Sequence, residues 1–189
     1  MKIRSDFVTN SSSSNTASLR IKCEPLAEMM DNYRKSIKEA GLGEFPSSPS
    51  WSELSVDASA GEVRWYWDEY GRWDIESGET VPKALADVLD CLCEELANDA
   101  QLAQESGRAT VPVAPLIRAI MENRNAIVPA IEDVSWRYAE YVRGEFLDSV
   151  DDPEARQQII EIGSGAYNVE FSYDGKTGEE SYASGWSTR

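Results

Sequence analysis

Three groups of side chains in this sequence could do chemistry, and all of them must work without histidine, which the chain lacks. Histidine is the usual proton carrier near neutral pH and a frequent metal ligand. Its absence excludes a Ser-His-Asp or Cys-His nucleophile system and every His-containing metal site. What remains is carboxylates, tyrosine, lysine, arginine and cysteine. Asp87, Asp90 and Glu94 recur at i, i+3 and i+7, which puts them on one helix face, and Glu132-Asp133 and Asp151-Asp152 are further acidic pairs. Oxygen ligands of this type suit Mg²⁺ or Ca²⁺, but no stretch has the spacing of an EF-hand loop. A helix face dense in acid is usually just a solvated face, and that is the reading taken here.

Cys91-Leu92-Cys93 has the look of a metal or redox motif until it is placed on a helix. Residues two apart lie ~200° around a helix, so the two thiols point to different sides. The third group is aromatic. Trp65, Tyr66, Trp67, Tyr70 and Trp73 crowd a short stretch that reads as a hairpin around Glu69-Tyr70-Gly71. In that register Trp67 faces Trp73, Trp65 faces Ile75, Asp68 faces Arg72 and Arg64 faces Glu76. One face is apolar, the other ion-paired. The tryptophans read as core, and Tyr66 and Tyr70 as the exposed members that could contact a partner. Nucleotide fingerprints are missing: neither GxxxxGK(S/T) nor GxGxxG occurs, and Gly163-Ser164-Gly165 reads as a helix stop.

The elements that position these groups follow from hydrophobic period. Leu19, Ile21 and Cys23 alternate with charged residues as a half-buried strand, and Pro25 then opens a helix that ends at Gly41 and Gly43. Leu54, Val56 and Ala58 form a second strand, turning at Ser59-Ala60-Gly61. Helices are predicted from Thr80 and Pro82 to Gly107, around Leu116 to Glu122, from Pro129 onward, and from Asp152-Pro153 to Gly163. The helix from Pro129 would turn Ile131, Val134, Tyr138, Val142, Phe146 and Val150 inward. At the C-terminus Tyr167, Val169, Phe171 and Tyr173 are odd-numbered, while Tyr182 and Trp186 are even. A shared apolar face requires opposed residues whose numbers sum to an odd value, hence an even loop such as Gly175-Lys176-Thr177-Gly178. The pattern predicts one α+β domain over residues 17–189, a mostly antiparallel sheet of about five or six strands packed against a layer of helices.

Residues 1–16 read as a flexible serine-rich arm, with Phe7 and Val8 preceding Ser11, Ser12, Ser13 and Ser14. The stretch Ile3-Arg4-Ser5-Asp6-Phe7-Val8-Thr9-Asn10 followed by four serines resembles a recurrent IRSxFV(S/T)NSSSS start of otherwise unrelated uncharacterised proteins of bacteria and their phages. The resemblance is confined to residues 1–15 and implies no activity. It points to a chain carried by a phage or mobile element. Independently of it, the serine hydroxyls and the adjoining Phe7-Val8 make the arm one that a modifying enzyme or partner could read.

Composition narrows the function class. Of 189 residues, 41% are hydrophobic, enough for a core. The net charge of -16, from 34 acidic and 18 basic residues, opposes direct nucleic-acid binding and favours a basic partner. No apolar run is long enough to cross a membrane, and no secretory signal pattern opens the chain. Three cysteines, an odd number, fit reduced thiols in a cytoplasm. The reading is a non-catalytic interaction or inhibitor module binding a basic protein through acidic surface such as Asp87, Asp90 and Glu94, with no cofactor. The alternatives are a carboxylate-based, Mg²⁺-dependent enzyme, and a substrate recognised through its arm.

Overall fold

The computed structural model describes residues 13–43, 45, 52–68, 81–105, 107, 111–143, 153–162 and 164–188. In chain order the elements are β1 (Ser13–Lys22), α1 (Glu24–Glu39), β2 (Ser52–Asp57), β3 (Glu62–Asp68), α2 (Val88–Glu105, entered through a 3-10 turn at Leu85–Asp87), α3 (Ala114–Glu122), α4 (Arg124–Ile127), β4 (Asp133–Arg143), α5 (Pro153–Ile162), β5 (Ser164–Asp174) and β6 (Glu179–Thr188). The strands make one sheet in the order β2-β3-β1-β4-β5-β6, antiparallel at every step. The fold is α+β, as the hydrophobic periods require.

Alternation decides which face is buried. Leu54 and Val56, Val63 and Trp65, Leu19 and Ile21, Val134, Trp136 and Tyr138, and Val169 and Phe171 all turn to one side. There they meet Leu26 and Met30 of α1, Leu89 and Leu92 of α2, Leu116 and Ile120 of α3 and Ile127 of α4. Full burial of one side chain the size of Phe171 contributes about 1.5–3 kcal/mol. The intervening residues, among them Ser18, Lys22, Arg64, Tyr66, Arg137 and Glu170, are exposed on the opposite face. Helix α5 packs against β5 and β6, near buried Gly165 and Ala166.

The C-terminal hairpin has the predicted parity. Tyr167 faces Trp186 and Phe171 faces Tyr182, and the loop is residues 175–178. Asp174 Oδ1 accepts from the Lys176 N–H at 2.8 Å and Asp174 O from the Gly178 N–H at 2.7 Å. Gly175 lies so close to the backbone of Glu132 that an added Cβ would sit 2.8 Å from its carbonyl oxygen. Gly61 is required twice over. Its φ of 64° favours glycine, and an added Cβ would meet Glu24 at 3.3 Å. That close approach lets Gly61 O accept from the Cys23 N–H at 2.8 Å and fixes where α1 starts.

Four expectations are corrected. Residues 133–143 are strand β4, where a helix from Pro129 was expected; only short helical turns precede it. Val134, Tyr138 and Val142 are spaced by four, a spacing common to both periods. Trp136 decides between them: it is buried beside Val134 and Tyr138, as alternation demands, whereas on a helix it would lie ~200° from Val134. Second, β3 is flanked on both edges. Trp65 faces Leu54 and Leu19, and Arg64 faces Ser55 and Arg20; the partners expected from the hairpin, Arg72, Trp73, Ile75 and Glu76, lie outside the described residues. Third, β1 begins at Ser13, inside the segment assigned to the arm, with Ser13 opposite Val142 and Ser14 opposite Tyr141. Fourth, the helical segment starts after Ala84, with the 3-10 turn at Leu85–Asp87 leading into α2 at Val88, instead of at Thr80–Pro82. Asp87 Oδ2 accepts from the Ala84 N–H at 3.1 Å, and Glu180 Oε2 from the Leu85 N–H at 3.0 Å, which holds the entry turn.

Candidate interaction surface

The exposed face of the sheet is organised in rows that cross all six strands. At the end bearing the β2–β3 and β5–β6 turns, the register aligns Asp57, Glu62, Lys22, Asp133, Asp174 and Glu179. Five of the six are acidic, and exposed Glu132 adjoins them at the start of β4. Adjacent strands lie ~4.8 Å apart, so the row spans roughly 24 Å.

Each of these groups has a local reason for its place. Asp57 Oδ1 accepts from the Ser59 hydroxyl at 2.6 Å and from the backbone N–H groups of Ser59 and Ala60 at 3.0 Å. Those bonds, the Ser59 hydroxyl first, hold its carboxyl below the usual range. Lys22 Nζ donates to Glu132 at 2.7 Å, and that bonded carboxylate raises the lysine above its ordinary value. Arg20 pairs with Asp133 and Arg64 with Glu62.

The next row holds Ser55, Arg64, Arg20, Ser135, Ser172 and Ser181, with the hydroxyls of the last pair 2.8 Å apart. Here two guanidinium groups stand directly opposite each other, an arrangement that disfavours the pairing unless acids adjoin it. Glu62 and Asp133 do so. The third row is Glu53, Tyr66, Ser18, Arg137, Glu170 and Ala183, in which Tyr66 is 47% exposed, as expected for it.

The helical acids do not converge in the same way. Asp87 holds the entry turn of α2. Asp90 is gripped by Arg124 of α4, whose Nη1 lies 2.7 Å from both carboxylate oxygens while Nη2 reaches Ala86 O. Glu94 is exposed. Among the described residues no group of three or more cysteines, aspartates and glutamates is placed to hold a metal ion. Cys23, Cys91 and Cys93 are free thiols, all buried. Burial pushes Cys91 up to about 12 and Cys93 up to about 11, and it raises Cys23 as well.

No family model, curated protein or solved structure matches the chain. Among the described residues no helix is long and apolar enough to cross a membrane.

Of the residues singled out from the sequence, Ser13 and Ser14 stand in β1, Tyr66 stands on the exposed face, Asp87 stands in the entry turn of α2, and Asp90 and Glu94 stand in α2 itself. Phe7, Val8, Ser11, Ser12 and Tyr70 lie outside the described residues. The acidic row was not legible beforehand. Asp57 and Asp174 could be spotted as residues preceding glycine-bearing turns, but their alignment with Glu62, Asp133 and Glu179 depends on which strands are neighbours. Glu95 also escaped notice. It is buried to 1% exposure, and its signal was its spacing of three from Leu92 within the apolar stripe of α2.

Proposed function

We propose that this protein is a non-catalytic binding module that takes a basic protein partner on the exposed face of its sheet. The observation that carries this reading is the cross-strand acidic row, Asp57, Glu62, Asp133, Asp174 and Glu179, on a rigid surface. A regular sheet fixes the spacing of such charges, so a partner can match them at little cost in side-chain ordering. Charge of one sign also steers an oppositely charged partner and lowers the affinity of like-charged ones. The neighbouring arginines and Tyr66 add residue types that dominate binding energy in many interfaces.

The test uses a lysine- and arginine-rich peptide as probe and two variants of equal charge change. One carries Asp57→Asn, Glu132→Gln, Asp174→Asn and Glu179→Gln, which keep acceptor oxygens for the turn bonds. The other carries Glu24→Gln, Glu28→Gln, Glu94→Gln and Glu105→Gln on the helices. The first should lose roughly tenfold or more in affinity and the second about twofold or less. Equal losses in both would reduce the effect to net charge and remove the case for this face.

A further inference from the structure

β6 is the last strand on its side of the sheet, so its outer row of backbone N–H and C=O groups has no strand partner among the described residues. Folded proteins usually blunt such edges with short strands, proline, lysine or bulges, because an open edge templates pairing with another chain. β6 uses none of these. It has ten residues with no proline, lysine or arginine, and its pairing with β5 runs unbroken from Gly165 opposite Thr188 to Asp174 opposite Glu179. The other edge, β2, is shorter, with six residues; each edge strand carries two acids, Glu53 and Asp57 on β2 and Glu179 and Glu180 on β6.

Among the described residues the buried row also stops at this strand. The apolar row Leu54, Trp65, Leu19, Trp136, Phe171 is buried throughout, yet its sixth member, Tyr182, is 41% exposed.

We infer that β6 pairs antiparallel with β6 of a second copy, about a two-fold axis at Ser184, which joins the two sheets into one. A two-fold axis perpendicular to a sheet keeps each face on its own side, so opposed residues must have numbers summing to an even value. Centring on Ser184 uses nearly the whole strand. It sets Tyr182 opposite Trp186 of the partner copy, Glu180 opposite Thr188, Ser181 opposite Ser187 and Ala183 opposite Gly185. No acid meets an acid. Since Trp186 faces Tyr167 within each chain, the row continues Phe171, Tyr182, then Trp186 and Tyr167 of the partner copy, and its symmetry mate runs the other way. Aromatic residues opposed across strands are favourable pairs. Centring on Ala183 instead sets Glu180 against Trp186, and centring on Gly185 sets Tyr182 against Thr188.

The charge distribution suits this pairing. Antiparallel addition carries the two acidic rows to opposite ends of the seam, roughly 30 Å apart at ~3.3 Å per residue. That is several Debye lengths at physiological ionic strength. The exposed face with its acidic row stays open, so this inference stands independently of the proposed partner.

Sedimentation of the full chain should give twice the 21.0 kDa mass of one copy. Tyr182→Lys should weaken association roughly tenfold or more while leaving the circular dichroism spectrum unchanged. Ser184→Cys supplies a readout that does not depend on that variant folding. Residues opposed across an antiparallel pair have Cα atoms ~4.5–5.5 Å apart, within disulfide reach, and the native thiols are all buried. Mild oxidation should therefore crosslink Ser184→Cys to a dimer and leave Ser187→Cys, which faces Ser181 of the partner copy, uncrosslinked. A chain that sediments as a monomer would overturn the inference and leave the edge to a strand from a different protein. A dimer in which Ser184→Cys fails to crosslink, or Ser187→Cys crosslinks equally well, would overturn it too.

Discussion

The three thiols of Cys23, Cys91 and Cys93 are inert by position. Burial favours the neutral thiol in each, and the carboxylates of Glu94 and Asp87 add to the effect at Cys91. A thiolate is the reacting form, so alkylation at neutral pH should label none of the three in the native protein and all three after unfolding. Rapid labelling of even one native thiol would contradict this. The linked effect on stability has a definite sign. A folded-state pKa above the ordinary thiol value of 9.0 contributes stability that is complete below pH 9.0. That contribution is lost as pH rises through the folded-state values near 11 and 12. The sequence had already removed Cys91-Leu92-Cys93 as a shared metal motif, since a helix separates the two side chains. It did not show that both would be buried, because that depends on how much of α2 its neighbours cover.

At the scale of elements, β1 is the strand on which the sheet depends. It lies between β3 and β4, and its first four residues, Ser13 to Thr16, pair with Val142 through Ala139 of β4. Thr16 also faces Asp68 of β3. Serine has low strand propensity, which is why the run of serines reads as an arm, but strand pairing depends on neighbours more than on intrinsic preference. Removing residues 1–16 should therefore lower the melting temperature relative to removing residues 1–12. Equal melting temperatures for the two truncations would mean that the serine end of β1 contributes nothing. The β5–β6 hairpin, by contrast, was legible to the residue, because both strands and their loop are contiguous and parity alone fixes the face. β4 was misread because a spacing of four satisfies helix and strand alike, and Phe146 and Val150 extended the helical pattern into residues outside the description.

For the whole molecule, the net charge of -16 acts as self-repulsion in the compact state. Ion pairs such as Arg20–Asp133, Lys22–Glu132, Lys35–Asp31, Arg124–Asp90 and Arg137–Glu170 have at least one partner substantially exposed, so their net contribution is small. Screening should then help the fold more than it harms it. The melting temperature is expected to rise as sodium chloride is added from low ionic strength to about the physiological level. A fall would mean that the ion pairs on the exposed face, such as Arg20–Asp133 and Arg64–Glu62, outweigh the general repulsion. Binding of a basic probe should move the other way and weaken with salt, so the two measurements separate repulsion within the chain from attraction between chains.

By itself the sequence determined the class of fold, the buried side of most strands, the C-terminal hairpin with its parity, and the absence of histidine chemistry. These follow from residue type and local period, which act over a few residues. Tertiary structure decided what depends on strand order. It inserted β3 between β1 and β2, placed β4 on the far side of β1, and so lined up acids from β2, β3, β4, β5 and β6 in one row. Among the described residues it also left β6 without a strand on its outer side and with Tyr182 exposed. Neither feature is encoded near any one residue, because a row across a sheet is a property of which distant segments become neighbours.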